Sequence, residues 1–366
     1  MPIFTASSPG PVPVEIEAMI EKGRLVGITT TVPVEAIFAA GLVPVDLNNL
    51  FVSHRHTDEL IERALEEGFP QGSCAWLKGI FGAVAMEGGP SMVVGVVRGD
   101  CSGTEVLLEA LELRGVLVVP FAYPLPPDRR DMRRELVRLC GRLGTTLNEA
   151  ESWRRRLAPV RALLSQADRL CWEGNRLTGE EAHLWLVSSS DFGGDPEAFR
   201  RELEAFLEEA RGRKPIDSAV VTPLARELRL GYIGVPPVET SIFPLAESLG
   251  ARFVYHEVQR QFSMPSHDQQ SGRISDLAGQ YLAYTYPYDV RGRAGDINRQ
   301  SAERRLDGLV HYVQSFCHRN LEDVIFSRTL ESPLLTIECD CPGTLGATAR
   351  ARLENFIQVL GENLSG

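Results

Sequence analysis

Short apolar runs recur along the chain, and helical patterns separate most of them. Several runs are almost continuously apolar, as are strands that are buried on both faces of a parallel sheet. The predicted strands are Leu25–Ile28, Val43–Leu47, Met92–Val97, Val116–Pro120, Leu230–Gly234, Phe253–Glu257, Leu309–Val313 and Leu334–Glu338. This alternation predicts open, mostly parallel sheets, and so an α/β fold.

A middle stretch without strands separates two versions of this pattern. Residues 128–217 are predicted to form amphipathic helices rich in Arg, Glu and Leu. The flanking parts resemble each other: Pro33-Val34-Glu35 has a counterpart in Pro237-Val238-Glu239, and each part contains a strand, a cysteine, a helix and a second strand in that order. We therefore predict an internal duplication and three sections, 1–127, 128–217 and 218–366.

Charge and composition narrow the class of protein. A net charge of −11 disfavours a general nucleic-acid binder. The most apolar run, Ser91 to Val97, is too short to cross a bilayer, so no membrane association is expected. The N-terminal MPIFTASSPGPVPV lacks the basic and apolar segments of a signal peptide, which predicts a cytoplasmic protein.

Seven cysteines occur in this chain, and disulfides are rare in the cytoplasm. Cys140 and Cys171 fall in helical patterns and are expected to be small buried hydrophobic residues. Cys101 and Cys317 each follow a strand and precede a helix, and Cys74 opens a helix after a Pro/Gly turn. Helix starts favour a thiolate or a bound anion. Spacing alone leaves two possibilities open, a shared metal site and three separate thiols.

Several motifs, in order along almost the whole chain, give a resemblance to the 2-hydroxyacyl-CoA dehydratase family. This family includes the D-component of 2-hydroxyglutaryl-CoA dehydratase, benzoyl-CoA reductase subunits and double-cubane-cluster proteins. The motifs are Pro33-Val34-Glu35 with Ala39-Ala40-Gly41-Leu42-Val43-Pro44, Gly72-Ser73-Cys74, Arg98-Gly99-Asp100-Cys101, Asp307-Gly308-Leu309-Val310, Gln314-Ser315-Phe316-Cys317, Ile337-Glu338-Cys339-Asp340 and the final Arg350–Ile357.

The resemblance implies two Rossmann-like domains, 1–127 and 218–366, joined by the helical section 128–217. It also implies an oxygen-labile 4Fe–4S cluster on Cys74, Cys101 and Cys317, with one iron open to substrate. The implied activity is that of a lyase, the one-electron radical elimination of water from a 2-hydroxyacyl-CoA. Implied partners are an ATP-dependent iron–sulfur activator, the acyl-CoA or another small-molecule substrate, and a second subunit in a homo- or heterodimer.

Some assignments stay open on the sequence. Glu35 is a candidate acid or base facing the substrate, although a first-turn charge at a helix N-terminus explains it as well. Cys339 and Cys341 either pack or, Cys341 in particular, serve as extra ligands of a double-cubane cluster in an ATP-linked reductase. The sequence is also compatible with a non-catalytic electron-transfer protein and with a zinc or metal-free protein. No phosphate-binding loop is present, so the chain itself is not expected to bind ATP.

Overall fold

The computed structural model describes residues 23–221, 224–264, 274–340, 342–343 and 345–365. The N-terminal segment in which no signal peptide was predicted lies outside the described residues, and so does Cys341. The fold is α/β, with two four-stranded sheets whose strands are all parallel, as the sequence predicts. Within the described residues, no helix is long and apolar enough to span a membrane.

Eight strands form the two sheets. They are β1 (Leu25–Ile28), β2 (Val43–Asp46), β3 (Met92–Arg98), β4 (Leu117–Ala122), β5 (Leu228–Gly234), β6 (Ala251–His256), β7 (Gly308–Val313) and β8 (Leu334–Glu338). The first sheet has the order β2-β1-β3-β4 and the second the order β6-β5-β7-β8. Both parts of the chain therefore build the same topology, as an internal duplication predicts.

Fifteen α-helices lie among the described residues. They are α1 (Val34–Ala39), α2 (Leu47–Ser53), α3 (Thr57–Glu66), α4 (Ala75–Ala85), α5 (Gly103–Leu113), α6 (Arg129–Arg142), α7 (Leu147–Trp172), α8 (Gly179–Val187), α9 (Pro196–Gly212), α10 (Ile242–Ser248), α11 (Glu257–Phe262), α12 (Leu277–Leu282), α13 (Val290–Arg304), α14 (Asp323–Thr329) and α15 (Ala347–Ser365).

The chain divides into two compact units. Unit 1 contains the described residues up to Leu164 together with Ser188–Leu203 and Phe262–Tyr288. Unit 2 contains Ser165–Val187, Glu204–Gln261 and the described residues from Asp289 onward. The helical section 128–217 contributes residues to both units, so each unit is assembled from separate stretches of the chain.

Burial explains why the strands are so apolar. All residues of β1, β6 and β7 are buried, as expected for central or covered strands of parallel sheets. In unit 1 the side chains of α4 and α5 pack on β3, around Phe81, Val93 and Leu108. Burying such side chains is worth about 1.5–3 kcal/mol each, and this contribution holds the cysteine-bearing turns against a rigid sheet.

Each sheet places a cysteine turn at a topological switch point. The chain runs from the central strand β1 to β2 on one side and then to β3 on the other, and unit 2 repeats this with β5, β6 and β7. Open parallel sheets bind ligands at such points, outside the carboxyl ends of the strands. Cys101 follows β3 and Cys317 follows β7, so both lie at the edge where this fold places ligands.

A close approach between α3 and α4 generates a test of this packing. A Cβ on Gly82 would lie 2.1 Å from the Leu60 carbonyl oxygen. We expect Gly82→Ala to destabilise the protein by about 1–3 kcal/mol, because backbone has to move. Gly141→Ala is the control, since Gly141 lies in α6 and a Cβ there would have no atom within 4 Å. That change should be neutral or stabilise by up to about 1 kcal/mol. Equal effects in urea unfolding would contradict the packing.

Candidate functional site

Cys74 lies at the N-terminal end of α4 in unit 1. The turn before it is closed by Ser73, whose backbone N–H and hydroxyl both donate to the Pro70 carbonyl oxygen, at 2.9 and 2.7 Å. Cys74 is the residue immediately before the helix, with extended backbone angles of φ −53° and ψ 134°. Its side chain is half-buried. The sequence prediction that Cys74 opens a helix is confirmed.

The turn that carries Cys101 follows β3 and requires a glycine. Gly99 has a φ of +99°, and a Cβ there would lie 2.8 Å from Pro287 and 2.9 Å from Tyr123. Only glycine adopts this conformation readily and leaves room for the neighbouring side chains. The motif Arg98-Gly99-Asp100-Cys101 therefore has a local structural reason, which is the tight path from the strand to the helix.

The Cys101 sulfur is an acceptor in this structure. The Gly103 backbone N–H at the start of α5 donates to Cys101 Sγ at 3.3 Å. The Leu77 side chain, from the first turn of α4, packs against Gly103 as well, since a Cβ on Gly103 would lie 2.6 Å from Leu77 Cδ1 and 3.4 Å from Cys101 Sγ. The helices that begin after Cys74 and Cys101 thus meet at their N-terminal ends within unit 1.

A largely buried lysine accompanies the Cys74 turn. Lys78 is one helical turn after Cys74 and only 6% exposed. Its Nζ donates to the Gln71 carbonyl oxygen at 2.8 Å, so the side chain folds back on the turn that leads into Cys74. Positive charge of this kind favours a thiolate over a thiol.

Cys317 in unit 2 is held by contacts from the end of β8. The Cys317 backbone N–H donates to the Gln314 carbonyl oxygen at 2.9 Å, which closes the turn after β7. Ser315 donates to Asp340 twice, from its backbone N–H at 2.8 Å and from its hydroxyl at 2.6 Å. Asp340 of the Glu338-Cys339-Asp340 motif therefore fixes the Cys317 turn.

A buried charge network continues from this turn into the unit. Arg293 of α13 is fully buried and donates to both oxygens of Glu257, at 2.7 and 2.9 Å, and also to Glu322. Glu322 accepts from Arg319 as well, at 2.9 Å. Burial would raise the pKa of Glu322, but the two guanidiniums outweigh it and hold the pKa below its ordinary value.

The network ties the residues after Cys317 to the edge of the second sheet. Glu257 also accepts from the Gly234 backbone N–H at the end of β5, at 3.0 Å. The sequence analysis missed Arg293 and its partners, because an ion pair between residues 29 or 36 positions apart leaves no local pattern. The one sign of the network in the sequence is that α13 contains many charged residues and few apolar ones. Its buried positions include Arg293, Asp296 and Arg304.

Glu35 is fully buried in unit 1 and both of its oxygens are engaged. Arg161 pairs with Oε1 at 2.8 Å, and Gln280 and Tyr281 each donate to the carboxylate at 2.7 Å. Burial would raise the pKa of Glu35, but Arg161 and these donors bring it below its ordinary value. The catalytic role suggested for Glu35 stays a prediction, and its contacts are those of a residue that fixes the loop after β1.

The duplicated Glu239 has a different environment. Its Oε2 accepts from the Ser241 backbone N–H at 2.9 Å, just before α10. Burial raises the pKa of Glu239, and no arginine pairs with it among the described residues. Glu239 therefore satisfies a donor in the loop before α10, which begins at Ile242, and does not supply the first-turn charge that the sequence predicts for it.

The remaining described cysteines divide as the sequence analysis expects. Cys140 and Cys171 are buried, and burial raises their thiol pKa values to about 11 and about 12. Both are therefore protonated and poor metal ligands at neutral pH. Cys339 is also buried, and it neighbours Tyr312, contributing to the raised pKa of that phenol. Ligation by Cys339 or Cys341 stays a prediction.

The cysteines named as cluster ligands lie in different units. Cys74 and Cys101 belong to unit 1 and Cys317 to unit 2. Across the parts of the chain that the structure describes, no three His, Cys, Asp or Glu side chains form a group that could hold a metal ion. A shared site therefore stays a prediction. The local chemistry fits a thiolate-bound cluster, because Cys101 Sγ accepts a backbone N–H and a buried cation faces the Cys74 turn.

Comparison with known proteins identifies the class. Two parallel sheets of one topology define an α/β protein, a class in which ligands bind outside the carboxyl ends of the strands. The family model of the 2-hydroxyglutaryl-CoA dehydratase D-component matches residues 29–360. The chain belongs to this family, and the resemblance predicted from its motifs is confirmed. No curated protein matches the chain.

The Arg293 network generates a test of how the Cys317 turn is held. Arg293→Met leaves two buried carboxylates without their shared partner, at a cost of about 3–5 kcal/mol. Arg252→Met is the control, because Arg252 is equally buried and pairs with Glu227 elsewhere in unit 2. We expect both variants to unfold earlier, but only Arg293→Met to accelerate hydrogen–deuterium exchange in residues 314–322. Similar exchange of these residues in both variants would show that Arg293 does not hold the turn.

A buried carboxyl pair beside the first sheet generates a pH prediction. Asp46 at the end of β2 donates its backbone N–H to Asp191 at 2.7 Å, and both residues are buried. Burial raises the pKa of Asp191 to about 7, and the neighbouring charge of Asp46 adds to the effect. The ordinary value is 3.8. Between these two pH values the folded protein therefore binds a proton that the unfolded chain releases.

Stability should accordingly fall as pH rises from about 4 to 7, by up to about 1.4 kcal/mol per pH unit for this one proton. Asp191→Asn removes the titration, so the free energy of unfolding of the wild type relative to the variant should decline across this range. Urea unfolding at several pH values measures the difference. The test depends on how the difference in free energy of unfolding changes with pH. Its absolute size is not informative, because the variant also loses a hydrogen bond. A constant difference between the two proteins would contradict the raised pKa.

Proposed function

We propose that the chain is an enzyme subunit of the 2-hydroxyacyl-CoA dehydratase type, which removes water from a 2-hydroxyacyl-CoA. The observation that carries the proposal is the family match over residues 29–360, within which lie Cys74, Cys101 and Cys317. These three thiols would hold one 4Fe–4S cluster. The partners in this proposal are an ATP-dependent iron–sulfur activator and a second, identical or different, subunit.

The chemistry would be divided between the cluster and the protein. When bound, the cluster would supply a strongly reducing electron and one iron without a protein ligand, which can act as a Lewis acid. The chain's own groups would stabilise and position the cysteines that hold the cluster. The Gly103 N–H would stabilise negative charge on Cys101 Sγ, since hydrogen bonds to sulfur tune such sites. Arg293 and Asp340 would keep Cys317 in one position.

Glu35 would act by positioning in this proposal. Its ion pair with Arg161 and its hydrogen bonds to Gln280 and Tyr281 hold α1 and the preceding loop at the carboxyl end of β1. The Tyr281 hydroxyl oxygen also lies 2.9 Å from the Val32 carbonyl oxygen, and the Tyr123 hydroxyl donates to the Thr31 carbonyl oxygen at 2.9 Å. A loop fixed in this way at the sheet edge can present backbone groups to a substrate without rearrangement.

Anaerobic purification followed by iron and sulfide analysis and low-temperature EPR tests the proposal. The wild type should contain about four irons per chain, the content of one cubane cluster. Cys74→Ser, Cys101→Ser and Cys317→Ser should each lose most of the iron. Cys140→Ala is the matched control and should keep it, because Cys140 is buried within α6. Turnover is then measured with an activator and several 2-hydroxyacyl-CoA thioesters.

Each competing function gives a different result in the same experiment. About eight irons per chain would favour the double-cubane reductase. A loaded cluster without turnover on any 2-hydroxyacyl-CoA would favour an electron-transfer protein. Zinc without iron, or a folded and active protein that contains no iron, would refute the proposal.

A further inference from the structure

All but one of the buried cationic side chains that the structure describes pair with a carboxylate. The described residues include seven buried Lys or Arg side chains, and six of these are arginines that pair with a carboxylate within 4 Å. They are Arg161, Arg252, Arg260, Arg293, Arg304 and Arg319. Lys78 is the seventh, and among the described residues it has no carboxylate partner.

An uncompensated buried charge is costly. Moving an ammonium out of water costs several kcal/mol even after the protein relaxes. The hydrogen bond from Lys78 Nζ to the Gln71 carbonyl oxygen satisfies one of three donor positions and supplies no negative charge. The position thus has the features of a site whose anion belongs to a bound group.

The identity of the residue strengthens this interpretation. Only three of the 38 Lys and Arg residues are lysines, namely Lys22, Lys78 and Lys214. The arginines carry the described buried ion pairs, which suits a planar group that binds carboxylates through two hydrogen bonds. Lysine is a compact point charge and does not depend on the planar, bidentate geometry that an arginine–carboxylate pair has.

The position of Lys78 relative to Cys74 indicates which anion would balance its charge. Lys78 lies one turn after Cys74, and its backbone N–H donates to the Cys74 carbonyl oxygen at 3.2 Å. Its ammonium returns to Gln71, so it stays at the turn that ends in Cys74. A thiolate at Cys74 and the cluster bound to it would bring the missing negative charge to this turn.

We propose that Lys78 is a positioning and charge-compensating residue of the cluster site, where its ammonium stabilises the Cys74 thiolate and the bound cluster. The inference rests on the proposed function. Because reduction adds negative charge to a cluster, the Lys78 charge would favour the reduced state and raise the reduction potential. It would also slow the loss of iron from the Cys74 side.

The test compares Lys78→Met with Lys78→Arg, which keeps the charge, and with Lys214→Met, which removes an exposed lysine. Each variant is purified anaerobically and studied with its cluster and after iron removal. We expect Lys78→Met to lose iron to a chelator several-fold faster than the wild type and to have a more negative midpoint potential. The iron-free form of Lys78→Met should melt at the same temperature as iron-free wild type or higher, because an uncompensated buried charge is gone.

The proposed role predicts that Lys78→Met weakens the cluster site but does not destabilise the iron-free protein. A purely structural role predicts a different result. If Lys78 merely closed the Gln71 turn, Lys78→Met would lower the melting temperature of both forms equally, and the proposal would be overturned. Unchanged iron loss and potential in Lys78→Met would overturn it too. So would stabilisation of iron-free wild type, but not of Lys78→Met, by coenzyme A, since the charge would then serve a ligand phosphate.

The outcome also distinguishes this inference from the proposed function. If the wild type binds no iron under anaerobic conditions, both the proposed function and the inference about Lys78 are refuted. A wild type with a full cluster whose properties do not depend on Lys78 removes only the inference and leaves the three-cysteine site intact.

Discussion

The parallel pairing of neighbouring strands is the constraint on which the rest of this structure depends. Because β1 pairs with β3 and β5 pairs with β7 in parallel, the strand ends that precede Cys101 and Cys317 lie at the carboxyl edges of their sheets. The chain must then turn sharply into a helix, which brings backbone N–H groups to the cysteines. The contact from the Gly103 N–H to Cys101 Sγ is the direct result. The fold itself therefore provides the polar environment that a thiolate needs.

The sequence predicted the elements that owe their stability to apolar burial. Leu25–Ile28 and Leu334–Glu338 match β1 and β8 without a shift, and the other strands differ by one or two residues at one or both ends. Helix α13 was missed for a physical reason: its buried face is built from charged and polar residues paired across the unit, so it has no apolar periodicity. The short helices α2, α11 and α12 were also missed. Helices α2 and α11 begin directly where β2 and β6 end, so their first residues, Leu47 and Glu257, were assigned to the preceding strands.

The site was predictable only where local chain geometry defines it. The cysteine turns were visible as a strand followed by small residues and a helix, and the structure has them there. The partners of Glu35 were not visible, since Arg161 and Tyr281 lie 126 and 246 positions away. The same holds for Arg293 and Glu322. Long-range ion pairs are fixed by the folded arrangement of elements, and a single sequence contains no record of which charges will meet.

Charge balance distinguishes the surroundings of the two kinds of cysteine turn. Behind Cys317, Arg293 and Arg319 face Glu257 and Glu322, so the buried network is neutral by itself. At the Cys74 turn the buried Lys78 ammonium has no such counterpart among the described residues. A buried network is stable when its charges are matched, and a buried charge left without a partner is costly. The unmatched cation is thus the observation from which a bound anionic group at the Cys74 turn is inferred, and the family match is what names that group as a cluster.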